Sequence, residues 1–392
     1  MKDKLITFIF AAGCLSAASA LPFNFGPLIF GTAADTFGFT PQHIGYFGSA
    51  FMFGFSVSSI ALFFFMHRIN WQAAMGFGVV CGAVIFAATA LISNPQVWII
   101  LWFLIGLLFG QVFSLVVRAA MDLSDPTRAY GGKLALETFI PAIMLLLFPP
   151  LVVSHWGYTG LALVAALLLV LMALTARSMP AGALVSNYRQ TDNPAAQNRA
   201  YQLLAWLGLI TIAVYFGGQL SVWIFAERAA NSLGYSPESI GVILFIGKCG
   251  AGFGGVLAAV VGERFGRWKP HLFSIIVMTL GQVLLITHVN YWAFTGGAFL
   301  FEIAWAYIVS YQVAVIAWLD ETKRLTVIAP AAMALGGSYG PALAGHLVDE
   351  NNYENVFKMG LLTAIICFIV FSLLVYVIVR DRGNSKAQVN PV

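Results

Sequence analysis

Charged side chains are scarce in this chain. Asp, Glu, Lys and Arg make up 9% of its 392 residues, while 60% are apolar. A soluble domain carries about 25% charged residues, so the composition excludes an ordinary globular protein and selects an integral membrane one. Cysteine is also sparse: Cys14, Cys81, Cys249 and Cys367 lie far apart inside apolar segments. That spacing offers neither a disulfide framework nor a metal site. There is no phosphate-binding loop, ATP cassette, nucleophile triad or metal cluster, so no enzyme activity, metal or cofactor is expected. The net charge of +4 is spread over short turns between apolar runs, which does not make a nucleic-acid surface.

Long apolar runs are what the chain has in their place. The first follows Met1-Lys2-Asp3-Lys4 and passes Ala17-Ala18-Ser19-Ala20, which mimics a secretory cleavage site. It continues to Phe30, about 25 residues, enough to cross a hydrocarbon core of roughly 30 Å, and therefore reads as an uncleaved first span. Twelve spans follow from the pattern: 6–31, 42–66, 71–92, 96–121, 130–153, 157–176, 202–227, 238–261, 270–288, 292–318, 325–347 and 355–379. Each is expected to be a helix, because a helix satisfies its own backbone in lipid. The one longer connection, 177–201, is polar. It divides the chain into residues 1–176, a linker, and residues 202–392.

The two parts repeat one another. Gly38-Phe39-Thr40-Pro41-Gln42-His43-Ile44-Gly45 returns as Gly234-Tyr235-Ser236-Pro237-Glu238-Ser239-Ile240-Gly241, a shift of 196 that also places Asp35 on Asn231, Gly54 on Gly250 and Arg68 on Arg264. Ile140-Pro141-Ala142 against Gly340-Pro341-Ala342 gives a second anchor at a shift of 200. Parallel repeats in a very apolar chain are a layout of secondary transporters. Basic residues set the orientation. Seventeen Lys and Arg fall on one set of loops and span ends, and two, Arg228 and Lys358, on the other, with Lys248 inside a span. Both termini are thus expected to be cytoplasmic.

The turn Gly262-Glu263-Arg264-Phe265-Gly266-Arg267-Trp268-Lys269 resembles the signature cytoplasmic loop of the major facilitator superfamily. Glu263 stands where the family usually has Asp, and Ala259 replaces its leading glycine. The first-half turn, His67-Arg68-Ile69-Asn70-Trp71, keeps only the arginine. With twelve spans and duplicated halves, the resemblance covers almost the whole chain. It implies an all-α membrane protein with 12 transmembrane helices in two six-helix bundles related by a pseudo-twofold. It further implies alternating access around a central cavity lined by spans 1, 4, 7 and 10. Spans 2, 5, 8 and 11 would flank that cavity. Family antiporters often carry Gly-Pro-Gly in span 5, which is absent here; a related Gly340-Pro341 string lies in span 11.

Ionisable groups inside a bilayer are costly and functional by default. Lys248 lies ten residues beyond Glu238, and Glu302 ten beyond Trp292, so both sit about 15 Å deep. Lys248 aligns with Met52 and Glu302 with Gly106, so these charges occur in one half only. Lys248 is a candidate for substrate binding, and Glu302 and Glu137 for proton coupling. A purely structural Lys248–Glu302 tie is the competing reading. Glu137 follows Lys133 at i+4, which permits a local pair. Asn24 between Pro22 and Pro27, Gln111, Gln219, Trp223, Trp305, Tyr311 and Tyr339 complete the substrate-binding candidates. Glu263, Arg264, Arg267, Arg68 and Arg118 are the gating candidates. The six histidines fall near span ends, where interfacial placement is expected. The glycines Gly247, Gly250, Gly254 and Gly255 form a small-residue face for close packing against the opposite half.

The expected function is secondary active transport of a small organic solute, with a preference for a carboxylate or other anion, by proton symport. The expected setting is a bacterial inner membrane, as a monomer, with lipid and protons as its other partners. Two alternatives stay open: proton-driven efflux of amphipathic compounds, and a non-transporting sensor or assembly partner of the same fold.

Overall fold

The computed structural model describes residues 2–123, 126–182, 199–262, 264–266, 268–319 and 324–389. Nine helical segments among these residues are long and apolar enough to cross a membrane. One of them, Gly131–Ser178, is 48 residues long. Straight, it would reach about 72 Å, more than twice a hydrocarbon core. It breaks at Gly157, whose φ of 55° lies outside any right-handed helix, and this separates spans 5 and 6. Span 11 is the helix Arg324–Leu347, with Pro330 and Pro341 inside it. Span 1 is three pieces, Lys2–Ser19, Leu21–Asn24 and Gly26–Phe37. Counted this way, the described residues hold twelve span-like segments.

Several helices outrun their predicted limits. Span 7 occupies Arg199–Ser232, so Arg228 is helical and not a loop residue. Lys133, counted above among the basic residues at span ends, lies inside a helix and is fully buried. Of the histidines, His271 is buried at 2% exposure and not interfacial, because its ring stacks on Phe371 at 5.5 Å between centroids.

The repeat is physical. Gly38 and Gly234 cap spans at φ of 71° and 79°, a left-handed conformation that favours glycine. Thr40 and Ser236 then accept from the backbone N–H of His43 and Ser239, each an N-cap followed by proline at the first helical turn. Asn94 and Asn290 cap spans 4 and 10 in the same way. Gly54 packs on the carbonyl of Phe103, and Gly250 on that of Phe299, too closely for any side chain. Every one of these pairs is shifted by 196.

The contacts between halves follow the same shift. Gly45 meets the carbonyl of Pro341, and Gly241 that of Leu145. Leu145 and Pro341 are 196 apart, so span 11 follows the first anchor. The 200-residue anchor reads one helical turn out of register. Across the halves, span 2 packs on span 11, span 5 on span 8 (Pro237–Val261) and span 1 on span 7. The small-residue face of span 8 is corrected as well. Gly250 and Gly254 press on span 10 (Tyr291–Leu319) of their own half, and Gly241 is the glycine of this span that meets the other half.

A Cβ at Gly54 or Gly250 would collide with backbone, which cannot step aside, whereas Gly252 and Gly255 face open space. Gly54→Ala and Gly250→Ala are therefore expected to lower the melting temperature in detergent, at a cost of about 1–3 kcal/mol each. Gly252→Ala and Gly255→Ala should leave it unchanged or raise it, since alanine gains up to roughly 1 kcal/mol of helix propensity. Equal losses at all four positions would contradict the packing described.

Candidate functional site at the junction of the halves

Proline chemistry in span 1 starts the site. Pro27 has no N–H to give to the carbonyl of Phe23 four residues earlier, and that carbonyl accepts instead from Trp223 Nε1 of span 7 at 3.1 Å. The bond joins the two halves at mid-span. Lys248 lies against the same tryptophan, its Nζ 3.8 Å from the Trp223 ring centroid and 5.7 Å from that of Phe23. Lys248 Nζ donates to Glu302 Oε1 at 3.1 Å, and both residues are buried. Phe216 and Trp305 close the group, with ring centroids 5.9–6.2 Å from Phe23 and from each other. The ammonium is thus compensated by one carboxylate and one indole face. Losing either partner would leave a charge in a medium where that costs several kcal/mol.

Of the predicted binding residues, Lys248, Trp223 and Trp305 come together here, and Asn24 is buried beside Phe23 in span 1. The others sit elsewhere. Gln219 donates to the Gly360 carbonyl and Thr363 and accepts from Gln282, all within the second half. Gln111 points at Gly78 of span 3. Tyr311 donates to the Gly262 carbonyl at 2.8 Å, closing the end of span 8. Tyr339 is exposed beside Gly217. Glu137 belongs to a second buried group: it pairs with Lys133 and accepts from Ser16 Oγ of span 1 at 2.7 Å, and Phe113 lies under the lysine.

Among the gating candidates, Arg68 and Arg264 are exposed, and Arg118 pairs with Asp122 on its own helix. Glu263 and Arg267 lie outside the described residues. A cavity of about 20 Å³, lined by Tyr215, His271, Gln312 and Cys367 among others, lies among the helices of the second half. It is large enough for one water but not for a substrate.

Sequence reasoning missed a charged cluster on the face of the molecule that carries Gly38. Arg228 grips Asp35 of span 1 through both terminal nitrogens, at 2.6 and 2.8 Å, and Glu227 through Nε and Nη2, at 2.7 and 2.9 Å. Glu227 is buried in the space that a side chain at Gly31 would need. The adjacent pair Glu227-Arg228 at the end of an apolar run was the available signal, though the span limits above leave Arg228 in a loop. Tyr46 with His346 (2.7 Å) and Ser49 with the Ala342 N–H (3.0 Å) tie span 2 to span 11 at the same end. The halves are closed together on this face.

The comparisons with known proteins agree with this geometry. Residues 207–390 match the family described as Major Facilitator Superfamily. A mutant of the nucleoside transporter NupG superposes with a TM-score of 0.77 at 10% identity, covering 94% of this chain and 99% of its own. This is the major facilitator fold. A bacterial homolog of the human lysosomal transporter Spinster, inward-facing and unoccupied, gives 0.70 at 14% identity, covering 97% of this chain and 99% of its own. A D-xylose-proton symporter also gives 0.70 at 14%, covering 93% and 96%. No curated protein matches in sequence. The chain resembles the major facilitator superfamily of secondary transporters, in sequence over its second half and in fold throughout.

The Arg228 cluster holds span 1 of the first half to span 7 of the second on the Gly38 face. Arg228→Met removes the bridge and leaves Glu227 buried without its cation. A cysteine placed at Phe23 should then react several-fold faster with an impermeant thiol reagent added from that face. Asp35→Asn, which spares the Glu227 contact, should have a smaller effect. Unchanged labelling in both variants would contradict the cluster's holding that face closed.

Proposed function

We propose that the protein is a secondary active transporter that moves a small organic anion together with a proton. The observation that supports this most is the buried Lys248–Glu302 pair at the junction of the halves. The partner of its cation is exchangeable, because an incoming carboxylate offers Lys248 what Glu302 offers it now. Once a substrate anion holds Lys248, Glu302 is a lone buried carboxylate, and desolvation drives it to take a proton. Anion and proton then bind cooperatively, as symport requires. A proton symporter shares the fold, which supports the same direction of reading. With the termini cytoplasmic, the Gly38 face is the outer one and this conformation is closed to the outside. We place the protein in a bacterial inner membrane as a monomer, with the first half ending near residue 176.

The aromatic group of Phe23, Phe216, Trp223 and Trp305 favours a second reading, export of amphipathic compounds, in which the rings do most of the binding. A thermal-shift screen of the purified protein against organic acids, sugars, amino acids and cationic drugs separates the two. The anion reading expects stabilisation by organic acids that Lys248→Met abolishes, that substitution restoring the residue of the matching site in the first half. In proteoliposomes, Glu302→Gln should keep exchange but lose accumulation driven by a proton gradient. Stabilisation by cationic drugs alone, undiminished in Lys248→Met, would reject the anion reading.

A further inference from the structure

Lys248 and Glu137 belong to opposite halves, and here each is paired within its own half. Three observations set them opposite one another. Spans 5 and 8 run antiparallel and meet where Gly241 lies on the Leu145 carbonyl. From that contact Lys248 is seven residues along span 8, and Glu137 eight residues back along span 5. These are distances of about 10 and 12 Å along the two axes, so the two charges lie at one depth. Span 1 runs past both: its Ser16 bonds Glu137, and seven residues on, about 10 Å along the span, the ring of its Phe23 lies beside Lys248, so one span links the two groups while they stand apart in this conformation. The repeat supplies the third. Met52, the counterpart of Lys248, reaches across to Gly337 of the other half. At the 196 shift the counterpart of Gly337 is Pro141, one helical turn from Glu137. The side chain at this position thus crosses the junction in the symmetric contact, and a lysine is longer than a methionine.

We propose that Glu137 is the cross-half partner of Lys248. When the ends of spans 5 and 8 away from the Gly38 face come together, the ammonium of Lys248 takes Glu137 as a second carboxylate, while Glu302 still holds it. An ammonium has three donors to share. Lys133 balances the charge of Glu137, so the four groups close as a neutral set. Loaded with an anion and a protonated Glu302, the set is neutral again. Loaded with an anion alone, it carries one uncompensated negative charge, and closure is opposed. Glu137 thereby makes closing of the carrier depend on proton binding. The inference rests on the transport reading above.

Its test needs no substrate, so its outcome is separate from that of the anion screen. Spin labels introduced as unnatural amino acids at the exposed positions Leu134 and Val256 report the distance between spans 5 and 8 by pulsed electron resonance. The unliganded parent should show a short-distance population. Glu137→Gln and Lys248→Met should each lower the short-to-long ratio about tenfold, a typical coupling between sites. The double variant should fall no further than either single one, because both remove the same contact. Glu137→Asp, which keeps its charge near Lys133 but shortens the reach, should also lower the ratio, and it serves if Glu137→Gln does not fold. Additive losses in the double variant, or a ratio unmoved by either substitution at Glu137, would overturn the proposal.

Discussion

An ammonium buried among aromatic rings in the middle of an apolar protein must always have a counter-charge, and that demand organises the centre of this molecule. Lys248 is held by Glu302 on the neighbouring helix and by the face of Trp223. Trp223 is held in turn by the carbonyl that Pro27 leaves free in the opposite half. Unpartnered, the charge would cost several kcal/mol, comparable with much of the 5–15 kcal/mol that stabilises a typical domain. Whatever the halves do relative to each other, Lys248 must keep a compensating group beside it. A buried charge that can be satisfied in more than one way is a natural place to couple ligand binding to movement.

Each half is packed as a rigid body. Within each half, span 2 packs on span 4 and span 8 on span 10 through glycines that bring backbones into contact. Such seams leave no slack for internal adjustment. Between halves, close glycine packing of span 2 on span 11, Gly45 on the Pro341 carbonyl and Gly345 on that of Pro41, is joined at the Gly38 face by polar ties: Arg228 with Asp35, Tyr46 with His346, and Ser49 with Ala342. Polar ties of this sort can be exchanged for water when that face opens, at far less cost than unpacking a core.

Much of the fold was legible because its punctuation is local. A glycine needed at positive φ, a Ser, Thr or Asn needed as an N-cap and a proline tolerated at the first turn each leave a mark in the sequence, and all recur at one shift. Lys248 and Glu302 were legible because a charge in an apolar run has few reasons to be there. The facing of neutral polar residues was not. Gln219 looks like a cavity residue by its spacing, yet its amide is satisfied by Gly360, Thr363 and Gln282 within the second half, and only tertiary packing decides that. The Asp35–Arg228–Glu227 cluster was hidden for the same reason, since its members meet across nearly two hundred residues. The second repeat anchor missed by a helical turn because prolines one turn apart in equivalent helices look alike in sequence but not in contact.

The central claim is that an anion takes the place of Glu302 on Lys248 and that Glu302 is protonated as a result. Proton uptake by the purified protein in weakly buffered solution, recorded as an organic acid that stabilises it is added, tests this most directly. The account predicts about one proton taken up per anion bound, with no uptake in Glu302→Gln even where that variant still binds. Binding without any change in pH, or the same uptake in Glu302→Gln, would contradict it.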